Sequence, residues 1–143
     1  MKIRQGFVSN SSSTCFIVAF PREIKNKNDI MEILFKDKKH VVGYDDALDA
    51  EEVADILFNQ LKNPLTKKEL IKELDRYNLY INGKQSVFVR RSVEVAQNFI
   101  DNNKGKFIYD FNFSDEGDEK EAIMRNGNQF SELENEAILT INL

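Results

Sequence analysis

The apolar positions of this chain change period several times, and each change marks an element. Residues 14–20 (Thr-Cys-Phe-Ile-Val-Ala-Phe) are continuously apolar and rich in β-branched and aromatic side chains. A run of that kind reads as a buried strand, and Pro21 stops it. Residues 106–113 alternate instead: Phe107, Tyr109, Phe111 and Phe113 point one way, Ile108, Asp110 and Asn112 the other. Period two with one apolar face predicts a half-buried strand. A last strand is expected over 137–143, with Ala137, Leu139, Ile141 and Leu143 on one face.

Helical spacing appears between these strands. A short helix is expected over 28–36, with Ile30, Ile33 and Leu34 on one face, and 40–44 reads as a short strand or a loop. Asp49 and Glu52 have N-cap and N3 spacing ahead of Val53, Leu57 and Leu61, with Ile56 beside that stripe and Asn63-Pro64 at its end. Thr66 and Glu69 form a capping box, Leu65 and Leu70 have the spacing of a hydrophobic staple, and Leu74 and Tyr77 continue the face. The two helices are separated by a short link, so an antiparallel helical hairpin is expected at about 49–77. Asn82-Gly83 is a turn signal, and the flanking 79–81 and 87–89 read as a small β-hairpin. Ser92 is placed to cap a helix to Asn102, with Gly105 just past its end. Asp115 opens a short acidic helix to Arg125, closed by Asn126-Gly127.

Strands and helices in this order predict a single α+β domain over 1–143, with a mixed, mainly antiparallel sheet and helices packed on it. Phe16, Val18, Phe107, Tyr109, Phe111, Leu139 and Ile141 are expected in one sheet-centred core. The length of 143 residues suits one such core.

Composition narrows the chemistry. Apolar residues are 41% and charged residues 31%, with a net charge of −4, so nucleic acid is not the expected partner. The single Cys (Cys15) and single His (His40) cannot assemble a Cys/His zinc site or an internal disulfide. The apolar run ending at Phe20 is too short to span a membrane, and the Ser/Asn run ahead of it breaks any signal-peptide core, so a cytoplasmic location is expected.

Candidate sites each have a plain structural reading. The run Ser9, Asn10, Ser11, Ser12, Ser13, Thr14 resembles a phosphate cradle in its small hydroxyl residues. It lacks the glycines and the Lys-Ser/Thr pair of a P-loop, and its strand follows instead of preceding. It reads first as an ordered structural turn. Cys15 with His40 would make a nucleophile and base only if the fold joined them. The acidic run 115–121 lacks EF-hand spacing and fits a helix start. Asp45, Asp46, Asp49 and Glu52 crowd another helix start, either as a solvated face or as a surface for a basic partner. Arg90-Arg91 is the one compact basic spot near an aromatic, and completes the candidate partner-binding residues. No catalytic residue, metal ligand or cofactor is assigned.

The stretch Gly6-Phe7-Val8-Ser9-Asn10-Ser11-Ser12-Ser13-Thr14-Cys15-Phe16 resembles the N-terminus of a set of small proteins from tailed phages and prophages. Phe111-x-Phe113-Ser114-Asp115-x-Gly117 and Asn126-Gly127-x-x-Phe130-x-x-Leu133 are similar to their C-terminal part, although those relatives end on a His-rich strand and this chain ends Ile141-Asn142-Leu143. The resemblance implies a phage-type origin and no particular reaction. The expectation is an accessory protein that binds a host or phage protein, with inhibition of a host process as one outcome. Two alternatives stand beside it: a nucleotide- or phosphate-binding protein or enzyme using 9–14, and a virion component. Partner identity and oligomeric state are not legible.

Overall fold

The computed structural model describes residues 13–36, 40–42, 48–82, 85–114 and 119–142; within these, the side chains of 40–42, 77–82, 85–91 and 119 are left aside. The element order is β1 (Ser13–Phe20), α1 (Lys27–Ile30) running into a π-helical turn (Met31–Phe35), β2 (His40–Val42), β3 (Leu48–Asp49), α2 (Ala50–Gln60), α3 (Lys67–Asn82), α4 (Gln85–Asn102), β4 (Phe107–Ser114), α5 (Glu119–Met124) and β5 (Ile138–Asn142). Two 3-10 turns, Asn128–Phe130 and Asn135–Ala137, lead into β5. This is a single α+β arrangement, with helices packed on an antiparallel sheet.

β1 is the central strand of a three-stranded sheet ordered β4-β1-β5. Both of its pairings are antiparallel; Phe16 lies opposite Phe111 on one side and Thr140 on the other. β2 and β3 form a separate antiparallel pair. The expectation of a partly mixed sheet is therefore corrected: every described pairing is antiparallel.

The continuous apolar run of β1 has a direct cause. Both sheet faces are covered, so both of its alternating rows are buried. Phe16, Val18 and Phe20 join Tyr109, Phe111, Phe113, Phe130, Val53 and Leu57 on one face. Cys15, Ile17 and Ala19 join Leu70, Leu74, Ala96, Phe99 and Ile108 on the other. Leu139 and Ile141 pack with this second group, so the single core expected around Phe111 is two cores divided by the sheet. The β4 face bearing Ile108 is likewise covered rather than open, and Ile108 is buried.

The helical hairpin expected at 49–77 forms one helix later. α2 packs with α1 and β3 in the Phe111 layer, whereas α3 packs along α4 in the Ile17 layer. Lys67 Nζ, at the start of α3, donates to Gln97 Oε1 toward the end of α4, so the pair runs antiparallel. The link between α2 and α3 explains the separation: it passes around the outer edge of β4. Gln60 Nε2 donates to the Asn112 carbonyl (2.9 Å) and the Asn112 N–H donates to Gln60 Oε1 (2.8 Å). The Leu65 N–H then donates to the Ile108 carbonyl (2.7 Å). The β-hairpin expected over 79–89 is also overturned. Both segments are helical, and Asn82 ends α3 rather than opening a strand turn. Apolar runs of three residues suit either state, and packing of α3 against α4 decides for helix.

Candidate functional site

The sequence candidates take mostly structural places. Ser9 to Ser12 lie outside the described residues, while Ser13 and Thr14 belong to β1 rather than to a turn before it. Thr14 is buried, and its Oγ1 donates to Asn142 Oδ1 (3.2 Å) on β5. Asp45 and Asp46 lie outside the described residues. Asp49 caps α2: its Oδ1 accepts from the Glu52 N–H (2.8 Å), and Glu52 Oε1 accepts from the Asp49 N–H (3.2 Å). Lys120 of α5 stands 2.9 Å from the Glu52 carboxylate. That ion pair and the capping bond hold the Glu52 carboxyl below its ordinary value. Glu51 and Asp55 both pair with Lys27 of α1, at 3.5 and 2.8 Å. The acidic helix start thus ties α1 and α5 to α2. Arg90 and Arg91 lie within α4 and not on a hairpin.

Cys15 is 0% exposed, on the β1 face covered by α3 and α4. It packs as a small apolar residue. His40 belongs to β2, in the other sheet. The C-terminal half of the acidic run forms α5, and 115–118 lie outside the described residues. Among the described residues, no group of three or more His, Cys, Asp or Glu is placed to hold a metal ion. No described helix is long and apolar enough to cross a membrane.

The fold does bring together one polar constellation that the sequence reading did not single out. Asp110 lies opposite Ile17 in the β1–β4 register, so it shares Ile17's face and looks toward α3. There it lies near Glu73, carboxyl facing carboxyl. Arg76 approaches Glu73 from the next turn of α3, with Nη2 2.7 Å from Oε1. Lys62, on the link that wraps the β4 edge, adds a second positive charge. The Glu73 side chain is 19% exposed. Partial burial and then Asp110 push its carboxyl up from 4.5 to about 7, against the opposing pull of Arg76 and Lys62. A signal was present: Asp110 interrupts the face that carries Ile108, and Glu73 flanks Leu74 on the buried side of α3.

No protein-family model matches the chain, and no curated protein or solved structure matches it either.

Proposed function

We propose that the chain is a phage- or prophage-type accessory protein that acts by binding another protein, of the host or of the phage, in the bacterial cytoplasm. Inhibition of a host process is one outcome of that binding. The observation that supports binding over turnover is the burial of Cys15. The one thiol of the chain is sealed between the sheet and the α3–α4 layer, where no substrate reaches it. The carboxylates of the α2 start are engaged in capping and in ion pairs. The described surface instead offers contact chemistry, with Phe58 of α2 and Val93 of α4 exposed.

The test is reconstitution. A partner recovered by native affinity purification from infected or lysogenic cells is purified separately and mixed with the chain. A stoichiometric complex with micromolar or tighter affinity supports the proposal. A chain that forms no such complex, yet gains thermal stability with a nucleotide in proportion to ln(1 + [L]/Kd), overturns it and points to phosphate binding at 9–14.

A further inference from the structure

The two outer edges of the three-stranded sheet differ. The β4 edge is closed by the wrapping link, through Gln60 to Asn112 and through Leu65 to Ile108. Among the described residues, no strand lies beyond β5 and no link bonds to its outer side. β5 also lacks the features that keep an edge from pairing. Ile138-Leu139-Thr140-Ile141-Asn142 holds no charge and no proline, and its register with β1 runs without a bulge from Val18–Ile138 to Thr14–Asn142. Thr140 and Asn142 are exposed, whereas Ile138, Leu139 and Ile141 are half-buried, each packed on a core.

The sequence of β5 is complementary to itself when reversed. Turned about a two-fold axis at Thr140, Thr140 meets its own copy, Leu139 meets Ile141 and Ile138 meets Asn142. Directly opposed residues of an antiparallel pair share a face. Leu139 and Ile141 of both copies therefore extend the Ile17 layer across the junction, while Thr140 meets Thr140 on the Phe16 face. No like charges are opposed along the strand. A foreign strand would have to supply this match; a second copy carries it already.

We infer that two copies of this chain pair antiparallel through the outer edges of β5, across a two-fold axis at Thr140. The result is one continuous sheet ordered β4-β1-β5-β5-β1-β4. The main-chain groups of β5 that face away from β1 are then bonded, and the apolar side chains of the edge gain cover. The pairing spans only 5 residues of each copy. Its area thus falls at the low end of interface sizes, below about 1,200 Å², and the dimer exchanges with monomer at roughly micromolar concentration. It does not depend on the partner binding proposed above, and the chain alone tests it.

Sedimentation velocity on the intact chain from about 1 to about 200 µM is expected to show monomer giving way to dimer. Thr140→Lys sets two positive charges opposite each other at an exposed site and should weaken association about fivefold or more. Thr140→Glu should do the same, and an equimolar mixture of the two variants should restore it, because opposite charges then face each other. Thr140→Cys gives an independent readout. A short bismaleimide should link its copies, since Cys15 is buried and does not compete, whereas Phe58→Cys on α2 should not be linked. A wild type that stays monomeric over the whole range overturns the inference, whether the edge then belongs to residues 1–12 or to a strand of another protein. So does a dimer that Thr140→Lys leaves unchanged, or one that Thr140→Cys links no faster than Phe58→Cys. Should Thr140→Lys fail to fold, the two cysteine variants decide.

Discussion

Gln60 stands beside Asn112 as a neighbouring strand would. Its side-chain amide donates to the Asn112 carbonyl at 2.9 Å and accepts the Asn112 N–H at 2.8 Å. An edge strand presents a row of unpaired backbone groups, and one amide side chain satisfies both groups of a residue there. The same contact fixes where the chain leaves α2 and turns around the sheet, so it helps to send α2 and α3 to opposite layers.

Gln60→Ala is expected to cost about 1 kcal/mol, because the two bonds are partly exposed and water replaces them in part. Gln60→Glu keeps the acceptor for the Asn112 N–H but sets a carboxylate against the carbonyl. It should be less stable than Gln60→Ala at neutral pH and recover on acidification, when the carboxyl can donate again. Urea unfolding of the two variants at both pH values checks the order. A Gln60→Ala variant as stable as wild type would show that water alone satisfies this edge.

Phe111 lies at the centre of the larger core, fully buried, with ring centroids 5.7 Å from Phe130 and 6.3 Å from Phe20. Phe111→Ala removes those contacts and leaves a cavity that neighbouring rings cannot fill, at about 3–5 kcal/mol. Phe58→Ala, at a site 37% exposed, is the control and should fall within about 0.5 kcal/mol of wild type. Denaturation midpoints separate the two easily.

Gly127 and Gly105 adopt nearly the same left-handed backbone, with φ of +80° and +81°. Their surroundings differ. A Cβ at Gly127 would sit 2.9 Å from Phe16 Cε1 and 3.1 Å from Cζ, whereas one at Gly105 meets nothing within 4 Å. Gly105→Ala should therefore cost only the backbone strain, about 1–2 kcal/mol. Gly127→Ala should cost that and the displacement of a ring packed on Phe130 at 5.2 Å, a further 1–3 kcal/mol or about that. Equal losses at the two positions would mean that Phe16 shifts freely.

Much of this architecture was legible where local pattern and tertiary role coincide. β4 shows its period of two because Tyr109, Phe111 and Phe113 all enter one core. Both capping boxes, Asp49 with Glu52 and Thr66 with Glu69, form as their spacing predicts. What failed depends on contacts distant in the chain. Nothing around 79–89 distinguishes a strand pair from two helices, since the deciding contacts are those between α3 and α4. Ser92 looked like a cap because hydroxyls often end helices; it lies buried inside α4. The Glu73–Asp110 contact was hidden for a related reason. A lone Asp on the polar side of an alternating strand signals solvent, unless a helix from elsewhere covers that side.

The pH dependence of stability should carry two limbs of opposite sign. Asp29 is held below its ordinary 3.8 by the Lys25 N–H and by Arg22, and Glu69 below 4.5 by Thr66. A carboxyl lowered in the folded state lends stability that is present above its ordinary value and lost as pH falls through the lowered one. These groups therefore shape the acid limb only. Glu73 is raised, from 4.5 to about 7, so what it lends is full below 4.5 and gone above about 7. Melting temperatures of wild type, Asp29→Asn and Glu73→Gln across about pH 3 to 9 separate the limbs. The gap between wild type and Asp29→Asn should close only on the acid side. Glu73→Gln should gain on wild type as pH rises from about 5 to 8, because the amide stays neutral where the wild-type carboxyl ionises in a partly buried place beside Asp110. A gap between Glu73→Gln and wild type that stays constant over that interval would mean that Glu73 titrates at the same pH folded and unfolded.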